Sequence, residues 1–95
     1  MDFHYILMNK EISDFIKNHI EMLVSQTKAY QPFIKTAFPA MNMADACMNL
    51  IAANAFSVFL SQYSMRMLSP TESDYMEFGT LIAQYVNKIN EIFPK

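Results

Sequence analysis

The chain has 95 residues, 53% of them hydrophobic and only 17% charged, against roughly 25% charged in an ordinary soluble domain. That is one domain with little capacity to hide its apolar surface, so oligomerisation or a standing partner is expected. Seven Lys and Arg against nine Asp and Glu leave a net charge of −2, which supplies no positive field for a phosphate backbone and argues against nucleic acid as a partner.

Residues 1–8 read as an apolar arm. Phe3, Ile6 and Leu7 would fall on the lysine side of the following helix if that helix continued backwards. They are therefore expected to fold over their own bundle or to reach a neighbouring subunit.

Helix one is expected over about residues 9–37. Lys10, Asp14, Lys17, Glu21, Lys28, Gln31 and Lys35 recur at three- and four-residue steps and mark its solvated line. Opposite them run Ile12, Phe15, Ile16, Ile20, Leu23, Tyr30, Phe33, Ile34 and Phe38. Both stripes keep one phase through Pro32. The proline lacks a backbone donor and crowds the carbonyl of Lys28, so a kink near Pro32 is expected rather than a break.

Helix two is expected over about 43–67, with Asn42 as its N-cap and Asp45 in its first turn. From Ala46 to Met65 it contains no Asp, Glu, Lys or Arg. A helix without a polar face has to be covered on several sides. Met48, Phe56, Phe59 and Leu60 are candidate contact residues, with Phe56 and Phe59 buried on different sides in the assembled state. Ala46, Ala53, Ser57 and Ser64 would admit another helix closely. The segment is long enough to span a membrane, but Asp45, Asn49 and Asn54 interrupt it and flanking charge is weak, so no integral insertion is expected.

Helix three is expected over about 70–93. Ser69 can cap it, Pro70 suits the first helical position, and Glu72 completes a capping box. The link is so short that helices two and three form an antiparallel hairpin. Tyr75, Phe78, Ile82, Val86, Ile89 and Phe93 form the stripe expected to be buried, with Gly79 and Ala83 as a small pair for close helix contact. Met76 and Leu81 lie off that stripe and are expected to be exposed, as further contact residues. Pro94 ends the helix.

Few residues in the chain point to chemistry. One glycine cannot build a phosphate loop. Cys47, His4 and His19 do not make a zinc set. Met41, Met43, Cys47 and Met48 carry soft ligands suited to Cu(I), yet packing explains them more simply. His19 sits at the centre of the helix-one apolar face and is read as a packing histidine. Cys47 is read as a small buried apolar residue. The lone cysteine excludes an internal disulfide and fits a reducing, cytoplasmic location, and no secretory signal is visible. No catalytic residue, metal or cofactor is expected.

The fold expected is therefore all-α: a three-helix antiparallel bundle with an N-terminal apolar arm, pairing into a larger helical bundle as a homodimer. The function expected is a non-enzymatic protein–protein interaction module, an adaptor, inhibitor or small regulatory subunit. Two alternatives belong to other classes. One is a helical protein that coats lipid or another hydrophobic surface. The other is a small ligand binder or enzyme using His19 in an interhelical pocket.

Overall fold

The computed structural model describes residues 8–94, all in helices and short connections with no strand among them. The arm residues Phe3, Ile6 and Leu7 lie outside the described residues. Met8 is inside them. It is buried, and its backbone N–H donates to Glu77 Oε2 at 2.9 Å.

Helix one is divided. Its first part, α1, spans Lys10–Ser25, and its second, α2, spans Thr27–Ala37. Asn9 starts α1 by accepting hydrogen bonds from the N–H groups of Glu11 and Ile12. The single-helix expectation is corrected at Gln26, one and a half turns before the proline. Pro32 itself lies inside α2, and the helix runs through it. The cause is local competition for carbonyls. Ser25 Oγ donates to Met22 O at 2.6 Å and Thr27 Oγ1 donates to Val24 O at 3.1 Å. Gln26 N–H turns to Leu23 O, three residues back instead of four. Hydroxyls that bond the preceding turn weaken the helical ladder and bend it.

The next helix, α3, spans Met43–Met65. Asn42 caps it as expected, accepting from Asp45 N–H at 3.2 Å. At its other end Leu68 N–H reaches back to Tyr63 O and Met67 N–H to Ser64 O, both at 3.0 Å. This is a Schellman turn, whose left-handed position is usually glycine. Here it is Met67, with φ of 57°.

The last expected helix is also divided, into α4 over Glu72–Ala83 and α5 over Val86–Ile92. The break is a tightened turn in which Tyr85 N–H bonds Ile82 O, three residues back. The start is corrected from Ser69 to Thr71. Thr71 Oγ1 accepts from Asp74 N–H at 3.1 Å, and Asp74 Oδ2 accepts from Thr71 N–H at 2.8 Å. Both S-x-x-E and T-x-x-D fit a capping box. The later one prevails because the Schellman turn runs to Leu68 and a residue before proline, here Ser69, is disfavoured in the helical conformation.

The core forms around α3, which packs against α1, α2 and α5. Ile12, Ile16 and Ile20 from α1, Ile34 from α2 and Ile89 from α5 meet Cys47, Ile51, Ala55 and Phe59 of α3, all fully buried or nearly so. On the α4 side Phe59 stacks on Phe78 with ring centroids 4.7 Å apart. The buried stripe of the last helices is Phe78, Leu81, Tyr85, Ile89 and Phe93. Two expectations are corrected here: Leu81 is only 7% exposed, while Tyr75 and Val86 are turned outward. The molecule is elongated, 46 × 26 × 21 Å.

Two substitutions check this arrangement. Phe59→Ala removes a fully buried ring and is expected to cost about 3–5 kcal/mol in urea unfolding. Gly79 is helical and a Cβ there would meet nothing within 4 Å. Gly79→Ala is therefore expected to stabilise the single chain, by about 0.5–1 kcal/mol. A loss of stability would mean that the surface over Gly79 is occupied.

Candidate interaction face

Because α3 buries one side, its opposite side is left bare. Asn49, Ala53, Phe56, Ser57, Leu60 and Ser64 follow one another at helical steps along that side, and all are exposed. No charge lies between Asp45 and Arg66. The uncharged composition that makes α3 a core helix thus also creates an apolar outer surface.

The aromatic residues at its edge divide the work. Phe59 is 0% exposed and Phe56 is 40% exposed, although their rings stack at 6.0 Å. Phe56 continues to Tyr75 at 6.3 Å and Phe78 at 5.9 Å, so α4 forms one wall of the face. Of the candidate contact residues, Phe59 and Leu81 are placed in the core of the single chain. Phe56, Leu60 and Met76 are placed on the surface, and Met48 is half-buried.

The two ends of the α3 face differ in shape. Near the helix start is a hollow of about 220 Å³ lined by Phe38, Met41, Ala46, Asn49, Leu50 and Ala53. At the other end is a projection. Met67 is 95% exposed, flanked by Met65 at 71% and by the exposed Leu68. Sequence reasoning missed this tip, since no glycine announces the Schellman turn that raises it. The exposed methionines are flexible, polarizable groups that adapt to an apolar partner surface.

The titratable groups lie elsewhere. His19 is half-buried, and its Nε2 pairs with Asn54 Oδ1 at 2.6 Å; with an amide oxygen as acceptor, the ring nitrogen donates. Asn54 stands two turns along α3 from Cys47, about 10 Å by helical rise. Cys47 is fully buried, and burial pushes its thiol pKa up, away from the reactive thiolate. Glu21 ties the first helix to the last. It accepts from Tyr85 Oη at 3.1 Å and pairs with Lys88 at 3.7 Å, beside a hollow of about 370 Å³ between the α1–α2 elbow and α5. The hollow beside Met8 and Glu77 is smaller, about 190 Å³. Among the described residues no three His, Cys, Asp or Glu side chains converge as a metal set.

No protein-family model, no curated protein and no solved structure matches this chain.

The two buried phenols set an alkaline limit. Burial first, then the hydrogen bond and charge of Glu21, raise the Tyr85 pKa to about 12. The Tyr63 hydroxyl is buried with no partner at hydrogen-bonding distance; burial, then the nearby Asp74 carboxylate, push its pKa up further. A raised folded-state pKa means stability that is complete below the unfolded value near 10 and is lost as pH climbs through the folded value. The melting temperature is expected to hold between about pH 7 and 9 and to fall above about pH 10. Tyr85→Phe is expected to flatten that fall, as read by circular dichroism.

Proposed function

We propose that this chain is a non-enzymatic protein–protein interaction module that works by presenting the outer face of α3. Adaptor, inhibitor and small regulatory subunit are all uses of such a face. The supporting observation is an uncharged, exposed helix side carrying Phe56 and Leu60, with a hollow at one end and a Met-rich tip at the other. Apolar patches of this kind on small proteins mark binding surfaces, and aromatic and Met side chains are favoured in them. The single free, buried cysteine suits a reducing, cytoplasmic setting.

A lipid-coating role draws on the same apolar groups, since α3 is long and apolar enough to cross a membrane by length and composition. Charge placement weighs against it. Surface-seeking helices flank their apolar face with Lys and Arg. Here Lys10, Lys17, Lys28 and Lys35 lie along the outer stripe of α1 and α2, while α3 packs on their inner side and turns its bare face away from them.

Leu60→Glu tests the proposal, because residue 60 is exposed and the fold should tolerate the change. Tagged wild-type chain is expected to retain a protein partner, either a second copy or another chain, in stoichiometric amount from native lysate, and the variant is expected to lose it. Neither neutral nor anionic vesicles should carry the wild type down on sedimentation. Equal capture by both proteins, or vesicle binding abolished by Leu60→Glu, would overturn the proposal.

A further inference from the structure

The partner that fits this face is, we propose, a second copy of the same chain, laid antiparallel across α3 with Ser57 near the twofold axis. The inference rests on the interaction-module reading and specifies the occupant.

Shape is the first argument. The hollow at the start of α3 and the tip beyond its end belong to one helix. Met67 lies about 25 Å along the axis from Leu50, which lines the hollow. A twofold axis through the middle of α3 reverses the helix onto itself. It delivers the Met67 tip of each copy to the hollow of the other, so both contacts form at once. Such an isologous arrangement closes and leaves no free end. A water takes about 30 Å³ of liquid volume, so a hollow of about 220 Å³ has room for the four side-chain atoms of a methionine.

Spacing and charge agree with shape. Leu50, Ala53, Ser57, Leu60 and Ser64 alternate three- and four-residue steps, the spacing of a helix–helix seam. Ala53 and Ser57 at its middle let two backbones approach. The absence of charge between Asp45 and Arg66 removes the like-charge repulsion that a surface meets when it faces itself.

Area is the third argument. The chain exposes 6380 Å², whereas a folded monomer of 11.0 kDa exposes about 5600 Å². The excess is roughly 800 Å², as an elongated chain that leaves part of its apolar surface uncovered would show.

Met67 itself is hard to explain within one chain. A Schellman turn favours glycine, and Met67 holds a left-handed backbone while its side chain touches almost nothing. In the dimer that side chain fills the partner's hollow.

Light scattering and sedimentation test the proposal on the full chain. Wild type is expected at twice 11.0 kDa at micromolar concentration. Ser57→Lys sets two lysines against each other at the twofold axis and is expected to give a folded monomer. Met67→Gly is expected to weaken association about tenfold or more. At concentrations where both proteins are monomeric, it should melt no lower than wild type. For the register, Leu50→Cys mixed with Met67→Cys should cross-link faster than either variant alone. A wild type that stays monomeric, a dimer indifferent to Ser57→Lys, or faster cross-linking of Met67→Cys to itself overturns the proposal. A monomeric wild type whose Leu60→Glu variant still loses a different protein would sink the second copy alone and leave the interaction-module reading standing.

Discussion

The fully buried Phe59 ring, stacked on Phe78 from α4, holds the two halves of the chain together. Phe59 belongs to the inner side of α3, and every other helix is placed by what it contributes to covering that side. The isoleucines of α1 and α2 close it from one direction. Phe78 and Ile89 close it from the other. Removing α3 would leave two amphipathic fragments with no common core. α1, α2 and α5 each make their main contact with α3, and α4 joins it through the Phe59–Phe78 stack.

The breaks in the helices follow from the same constraint. α1 has to cover the middle of α3, while α2 has to reach its start, where Ile34 is buried. One straight helix from Lys10 to Ala37 would not do both. The elbow at Gln26 provides the bend, which the hydroxyls of Ser25 and Thr27 favour by competing for the carbonyls of Met22 and Val24. The turn at Gln84–Tyr85 does similar work. It lets Tyr85 meet Glu21 while Ile89 stays in the core.

Much of this was legible in the amino-acid order because local chemistry decided it. Asn42 and Asp45 begin α3 where a cap and a first-turn carboxylate should stand. The lysine and isoleucine lines of α1 and α2 keep one phase across the elbow, whereas Phe15, Phe33 and Phe38 of the expected apolar stripe stand exposed at its margins. Other features depended on choices that spacing alone leaves even. Tyr75–Phe78–Ile82–Val86 and Phe78–Leu81–Tyr85–Ile89 are both sound helical ladders sharing Phe78, and only the position of α3 decides between them. The helix breaks beside the hydroxyls of Ser25 and Thr27 and runs through Pro32, which alone looked disruptive by residue type. The tie between Glu21 and Tyr85 joins distant residues and leaves no local trace. Phe56, Leu60 and Met76 stood out in the sequence as apolar helix residues, and the structure leaves them on the surface. The hollow and the Met67 tip did not stand out, because both are made by how the backbone turns.

The position of α3 in the chain also shapes how the protein is made. Translation delivers residues at about 5–20 per second, so the end of α3 follows the end of α2 by about 1–6 s. For that interval Ile12, Ile16, Ile20 and Ile34 have been synthesised without their principal burial partner. They form an apolar stripe on two linked helices, the kind of transiently exposed surface that chaperones bind. A pause in translation within the codons for α3 would lengthen that interval, and silent changes there would alter the yield of folded protein without changing a residue.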